Sequence, residues 1–472
     1  DHVNPEAPWP EISHLTKTMA DYGKILIERL PLYPRFALNS KKWTDKEITS
    51  ALLRSMDQQG YAREDEWAPG QSTFPPVHKK SYLPLKMKGE KNKIDQILER
   101  INGSGEINEE QIIILLNSRG LEFERVCEFA NKLRKKVSGE EVTYAVNRNI
   151  NYTNVCYFRC GFCAFSKGKM SENLRGKPYN LELDEIVSRA REAWDRGASE
   201  VCLQGGIHPS YTGETYLQIC KAIHEAVPRI HIHAFSPLEV SQGASTLGLS
   251  VPEFLEKLRD SGLGTLPGTA AEVLDDEVRN IICPDKLSTQ EWLSVMRDAH
   301  EVGFRTTATI MFGHLEAPYH VARHLLRIRN LQKETGGFTE FVPLPFVHME
   351  APIYLKGKSR MGPTFREAVL IHAVARIVLN PFIQNIQTSW VKMGPEGVKA
   401  CLDAGANDLG GTLMNESITR AAGTVHGQEM LPERMEALIR QTGRIPRQRD
   451  TLYRIPDPIQ NSKSYGNQLI NQ

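Results

Sequence analysis

From residue 141 onward the chain alternates between two hydrophobic periods. Short runs rich in β-branched and aromatic residues read as strands: EVTYAVNRNI, SEVCLQGG, IHIHAFS, LGTLPG, FRTTATIMFG, TEFVPLPF, NIQTSW and ANDLGG. Between them, apolar positions recur at steps of three and four. Ile186, Ala190 and Trp194 share one face of LDEIVSRAREAWDRG, and SVPEFLEKLRDSG and STQEWLSVMRDAHEVG are patterned alike. Eight such alternations predict an α/β fold, a parallel (β/α) barrel of the TIM-barrel type over residues 141–455.

Upstream the pattern changes. Residues 1–61 carry two helical stretches, ISHLTKTMADYGKILIERL and WTDKEITSALLRSMDQQG, separated by the breaker RLPLYPRF. Two helices cannot bury a core alone, so they must pack on something else. Residues 62–90 are rich in Pro, Gly and charge without periodicity and read as a linker. Residues 91–140, with INEEQIIILLNS and FERVCEFANKLRKKVSG, read as a helical cap. Residues 456–472 are expected to be a disordered C-terminal tail.

Composition narrows the function classes. The 472 residues are 40% hydrophobic and 24% charged, with formal net charge +1, which predicts neither nucleic-acid nor membrane electrostatics. No apolar run reaches the roughly 18 residues a transmembrane helix needs. The first residue is Asp1 and no secretory pattern follows it, so a fragment or a processed product is expected, with any upstream address lost. Of eight cysteines, three fall within eight positions and five are scattered. That distribution fits a metal cluster in the cytoplasm or another reducing compartment better than a disulfide framework.

The three clustered cysteines lie in NRNINYTNVCYFRCGFCAFSKGK, just past the first strand, as Cys156, Cys160 and Cys163 with spacing C-x3-C-x2-C. Thiolates are soft ligands suited to iron–sulfur clusters. With no fourth cysteine nearby, one iron would keep an open position. A zinc site with a distant fourth ligand, or three unrelated buried thiols, are the competing readings. Other polar residues gather where strands are expected to end, the rim that carries chemistry in parallel barrels. Gln204, Gly205 and Gly206 end the second strand. His231, His233, Ser236 and Glu239 end the third. Arg305, Thr307, Thr309, His314, His348, Gln387, Ser389, Asn407 and Asp408 are further pocket candidates. Cys202, Cys220, Cys283 and Cys401 are expected to be small buried hydrophobes.

C-x3-C-x2-C with Phe162 before the last cysteine resembles the signature of the radical S-adenosylmethionine superfamily. The resemblance implies a 4Fe-4S cluster on Cys156, Cys160 and Cys163, with S-adenosylmethionine chelating the open iron. It further implies a cofactor contact from Phe162 and from Gln204, Gly205 and Gly206, although the family's Gly-Gly-Glu pattern is Gly-Gly-Ile here. NYTNVCYFRCGFCAF, LQGGIHP, HIHAFSPLE, LPGTAAEVLDDEVR, ICPDK, TTATIMFGH, NIQTSWVKMG and GANDLGGTLMNESITRAAG together resemble the second half of deazaflavin (7,8-didemethyl-8-hydroxy-5-deazariboflavin) synthase, over about residues 90–455. DHVNPEAPWP and RLPLYPRF resemble the tail of the cyclising first half. The implied activity is 4-hydroxyphenyl transfer, joining the 4-hydroxybenzyl part of L-tyrosine to 5-amino-6-(D-ribitylamino)uracil. The implied partners are the cyclising subunit or domain and an electron donor such as ferredoxin or flavodoxin. The first half's own cluster cysteines are absent, so its cyclising activity is not expected in this chain. The rivals are a futalosine-pathway enzyme of menaquinone synthesis and a non-catalytic iron–sulfur electron carrier.

Overall fold

Each of the eight apolar runs contains a strand. The computed structural model describes residues 6, 9–76, 93–103, 105–167 and 177–466. Ten strands are present among them: β1 (Glu141–Ala145), β2 (Asn147–Ile150), β3 (Glu200–Leu203), β4 (His231–Ala234), β5 (Thr265–Leu266), β6 (Arg305–Phe312), β7 (Phe338–Pro345), β8 (Asn385–Ile386), β9 (Asp408–Gly411) and β10 (Ile445–Arg449). Strands β2 to β8 pair in sequential order, all parallel, and curl into a half-barrel. The run 141–150, expected as one strand, serves two sheets: β1 pairs instead with β10 and β9.

The smaller sheet stands between the open edges of the larger one. Gln387, just past β8, bridges to Asp408 of β9. The Thr412 hydroxyl accepts from the Asn147 amide at 3.0 Å and donates to the Asn147 carbonyl at 2.9 Å. β10 lies in RIPRQRD, whose alternating charges hid it from a hydrophobicity reading.

Helices cover the outside through apolar stripes, such as Ile186, Ala190 and Ala193 of Leu183–Asp195. Several begin with a Ser/Thr–Glu capping box, as at Ser250 and Glu253 or Ser288 and Glu291. The helix Phe365–Leu379 is buried at all fifteen positions. The helices Glu109–Leu116 and Leu121–Ser138 pack over it, so the 91–140 region forms a further layer on the barrel. Among the described residues no helix is long and apolar enough to cross a membrane.

Two segments read as loose from composition are anchored. Of the presumed linker 62–90, residues 62–76 pack on the barrel, and the rest lies outside the described residues. Trp67 is 2% exposed and meets Phe365 edge-on at 5.3 Å. Arg63 donates to the carbonyls of Gly362, Trp67 and Pro363 at 2.8–3.1 Å. Of the tail 456–472, residues Pro458–Gly466 form a helix. Gln460 Nε2 donates to the carbonyls of Trp194 and Ala198, and a Cβ at Gly197 would lie 2.4 Å from the Ser464 amide nitrogen. Residues 467–472 lie outside the described residues.

The N-terminal segment is fixed by buried charge. Asp57 is fully buried and bridges Arg119 and Arg366, the latter at 3.3 Å. Glu64 also pairs with both arginines. The Gln58 amide donates to Glu367 at 2.6 Å, and the Phe365 amide donates to Asp65 at 3.0 Å. Arg360 then links Glu367 to Glu316 at 2.9 and 3.3 Å. Burial alone would raise the Glu367 carboxyl, but Arg360 and Arg366 beside it prevail and hold it at about 2.

Removing one partner from such a network strands the others without water. Asp57→Ala should destabilise the fold by about 3–5 kcal/mol in chemical unfolding, because Arg119 and Arg366 lose their fully buried counter-ion and keep only the partly exposed Glu64. Glu367 has a folded pKa below its unfolded value of about 4.3, so its stabilisation is complete above that value. It should fade as pH falls from about 4 towards 2. Stability profiles of the native chain and of Glu367→Gln should differ in slope there, and parallel profiles would contradict the ionised assignment.

Candidate cluster and substrate site

The cysteine loop leaves the C-terminal end of β2 and has no regular structure, so its shape comes from neighbouring backbone. The Cys156 amide donates to the Lys167 carbonyl at 3.2 Å, and the Tyr157 amide to Ile207 at 3.2 Å. The Gly161 amide donates to Ile282 at 2.7 Å, and its carbonyl accepts from Ile353 at 2.7 Å. Asp285 accepts from the Arg159 amide at 2.9 Å. The loop is thus held by the ends of β3, the 282–286 segment and the turn at 353.

Gly205 and Gly206 explain the close approach of β3. A Cβ at Gly206 would lie 2.2 Å from the Val155 carbonyl and 2.9 Å from Cys156 Cβ. One at Gly205 would lie 2.3 Å from the Tyr152 ring. The two glycines therefore seat β3 against the cysteine loop itself.

The donor set fits an iron–sulfur cubane better than a single ion. A tetrahedral thiolate ion at 2.3 Å bond length would need sulfurs about 3.8 Å apart. The three sulfurs are not all within 4.8 Å of one another. Burial pushes the Cys160 and Cys163 thiols up, against the pull of Lys286 nearby. Ligation to iron is what would hold them as thiolates there. Cys163 Sγ accepts from the Ser166 amide at 3.3 Å, a contact that favours the charged form. Lys286 lies 3.0 Å from Glu272 and 5.2 Å from the centre of the Phe162 ring. Burial opposes its charge, but Cys160 and Glu272 beside it keep it protonated. Among the described residues one other group could gather round an ion, Asp275, Glu277 and His320, but Arg323 and Arg327 already neutralise it.

Beneath the loop a cavity of about 370 Å³ fills the barrel. Phe162, Cys163 and Phe165 line it at the cluster end, Thr307, Thr309, Gln387 and Ser389 along the walls, and Glu200, Arg449 and Thr451 at the floor. The floor is a buried polar network. Arg449 binds Asp408 at 2.6 and 3.0 Å and Glu340 at 3.3 Å. Glu340 also accepts from Tyr453 and from Gln387 at 3.2 Å. Glu200 accepts from Asn147 at 3.0 Å and Thr451 at 2.6 Å. Burial raises Glu340 to about 7, with Arg449 pulling down and Asp408 pushing up. Burial lowers His233 to about 4, so it is neutral at pH 7 and shares Thr265 with His231 at 2.7 and 2.8 Å.

The structure sorts the sequence candidates. Phe162, Cys163, Gln204, His233, Thr307, Thr309, Gln387 and Ser389 face one cavity. Ser236 and Glu239 instead form the capping box of helix Pro237–Leu247. Glu239 sits behind the wall, accepting from Tyr152 and, at 3.4 Å, from the Gly205 amide. His314 is fully buried against Glu316 and the Met311 carbonyl. Asn407 accepts from Arg376 at 2.6 Å and from the Ile386 amide at 2.9 Å, which fixes β8. Arg305 is exposed at the opposite end of β6, and His348 packs edge-on against Tyr354. Cys220, Cys283 and Cys401 are buried, while Cys202 lines the cavity.

Sequence reading missed Glu272, Lys286, Glu340, Lys392, Glu416 and Arg449. Glu340 offered a signal, since a charge inside an otherwise apolar strand run must be paired. Backbone strain gathers at the same rim: Ala270, Glu272, Leu413, Met414 and Asn415 all have positive φ, between 29° and 87°. Three of them, Ala270, Glu272 and Leu413, line the cavity and mark a site whose geometry overrides local preference.

Comparison with known proteins agrees with this geometry. Residues 150–326 match the radical SAM superfamily, and residues 335–462 match the CofH/MqnC C-terminal region. FO synthase of Streptomyces coelicolor is 40% identical over 493 residues, covering 96% of this chain and 56% of the relative. The chain therefore spans little more than half the length of the FO synthases it matches. The 5-amino-6-(D-ribitylamino)uracil–L-tyrosine 4-hydroxyphenyl transferase of Methanocaldococcus jannaschii is 47% identical over 353 residues, 74% of this chain and 97% of that protein. Methylornithine synthase shares the fold, with TM-score 0.59 and 17% identity over 74% of this chain and 97% of that one. Radical SAM proteins bind a 4Fe-4S cluster and S-adenosylmethionine, and the separated cysteine sulfurs and open loop suit that pair. The chain belongs to the radical SAM superfamily, within the family that includes the FO synthases and the archaeal 4-hydroxyphenyl transferase.

Proposed function

We propose that this chain transfers the 4-hydroxybenzyl part of L-tyrosine to 5-amino-6-(D-ribitylamino)uracil. The observation that carries the reading is the 47% identity extending over 97% of the archaeal transferase. Cys156, Cys160 and Cys163 would hold the cluster, and Gln204, Gly205 and Gly206 would border the S-adenosylmethionine. Together these cofactors supply a hydrogen-abstracting radical, and the protein's part is to bind, orient and exclude water.

The cavity is suited to that part. Its cluster end is aromatic, with Phe162 and Phe165, and gives a phenol ring apolar surface. Its floor offers neutral His233, the Arg449 cation and several carboxylate and hydroxyl oxygens. A polyol chain and a pyrimidine edge need such alternating donors and acceptors. Putting tyrosine near the cluster and the ribityluracil towards the floor gives each its matching chemistry.

The sequence holds one C-x3-C-x2-C loop, so we assign this chain the transfer step and assign ring closure to a separate cyclising domain or subunit. A low-potential donor such as ferredoxin or flavodoxin would reduce the cluster, in a reducing compartment.

Two measurements test the reading. After anaerobic reconstitution the chain should hold about four irons, and Cys156→Ala, Cys160→Ala or Cys163→Ala should each lose cluster and product. Cys220→Ala should keep both, because that side chain is buried in the core away from the loop. With reductant, S-adenosylmethionine, tyrosine and the ribityluracil, mass spectrometry should find the hydroxybenzyl adduct with equal 5′-deoxyadenosine. The deazaflavin chromophore should appear only when a cyclising enzyme is added. Full iron in any of the three loop variants, or deazaflavin from this chain alone, would refute the respective assignment.

A further inference from the structure

Lys392 is a cation in the cavity wall to which no ion pair is made among the described residues. It lies in the first turn of helix Trp390–Asp403, just past β8, and that turn is cut off by the kink at Gly394 (φ 67°) before Pro395. The Lys392 carbonyl accepts from the Gly70 amide at 2.7 Å, so the packed segment 62–76 fixes the turn from outside. The side chain lines the cavity. Among the described residues no hydrogen bond or ion pair holds its ammonium. Two carboxylates lie in its field, Glu416 and Glu272, but both are engaged. Glu416 caps Ile418–Ala421, accepting from the amides of Thr419 and Arg420 at 2.8–3.2 Å. Glu272 pairs with Lys286 at 3.0 Å.

We propose that the Lys392 ammonium binds the α-carboxylate of the amino-acid substrate. An unpaired ammonium away from water is costly, and an anionic ligand removes that cost. Burial lowers Lys392 to about 8, with Glu416 and Glu272 opposing, so it is still charged at neutral pH. Of the proposed substrates, tyrosine brings a carboxylate and the ribityluracil does not. S-adenosylmethionine brings one too, but the residues assigned to border it, Gln204, Gly205 and Gly206, follow β3. β8 is separated from β3 by four intervening strands of the curled sheet, which puts Lys392 on the far wall. This inference rests on the transferase reading and deepens it.

The test compares native enzyme with Lys392→Met, Lys392→Gln and Lys392→Arg, each reconstituted and matched for iron content. Lys392→Met and Lys392→Gln should raise KM for tyrosine by about ten- to a hundredfold, the usual worth of a charge-assisted hydrogen bond. KM for the ribityluracil should stay within about twofold, and Lys392→Arg should recover part of the loss. Equilibrium dialysis gives a readout independent of turnover. Native enzyme should bind tyrosine in preference to tyramine, which lacks the carboxylate, and the neutral variants should lose that preference. Retained preference in Lys392→Gln, or a loss that falls on S-adenosylmethionine binding seen by the cluster's EPR signal, overturns the proposal. Should native enzyme neither bind tyrosine nor form the adduct, the transferase reading falls with it. Normal transfer with undiminished preference in the variants defeats the Lys392 assignment alone.

Discussion

The loop that carries Cys156, Cys160 and Cys163 has no regular secondary structure to shape it. Its backbone amides and carbonyls cannot satisfy one another, so the surrounding barrel must supply both partners and shape. Here Ile207 after β3, Ile282 and Asp285 of the 282–286 segment, and Ile353 do so. The requirement propagates outward. Gly205 and Gly206 have no side chain because β3 must touch the loop, and the 282–286 segment must stay close enough for Ile282 to accept from Gly161. Lys286 comes with that segment, which places a buried cation beside the sulfurs.

The cavity below inherits a gradient from this arrangement. At the cluster end the lining is aromatic, where radical chemistry benefits from few exchangeable protons and no water. At the floor, charges bury themselves only because Arg449 serves Asp408 and Glu340 together and Tyr453 completes the set. A network satisfied this fully is rigid, and that rigidity fixes the donors and acceptors the floor presents to the cavity. The small sheet makes it possible: β9 and β10 carry Asp408 and Arg449 into the gap left by the seven-stranded half-barrel.

The architecture was legible because periodicity reports burial, and all eight apolar runs held a strand. β10 was not, because it lies at the edge of the small sheet with polar side chains engaged in ion pairs, such as Arg447 with Glu141. The superfamily was legible because cysteine spacing is a local signature. The pocket was half legible. A polar residue at a strand end can face the cavity, as Gln387 does, or bond backbone behind it, as Asn407 does. Ser236 and Glu239 show the same ambiguity: their spacing is equally that of a capping box, and the helix start at Pro237 claimed it.

The N-terminal segment shows why composition misleads about linkers. Residues 57–68 carry Asp57, Arg63, Glu64 and Asp65, a density of charge that reads as solvated. Each of these charges meets an opposite charge, a carbonyl or, for Asp65, the Phe365 amide on the barrel, and all fifteen positions of the helix they clamp, Phe365–Leu379, are buried. The stretch is thus a strap, holding by ion pairs what a linker would leave free. It ends at Gly70, whose amide binds the Lys392 carbonyl and whose own carbonyl accepts from Val425. The strap therefore packs against a turn whose side chain faces the cavity. Loosening the strap would act on the site through that turn, because the bond from the Gly70 amide to the Lys392 carbonyl ties the two together.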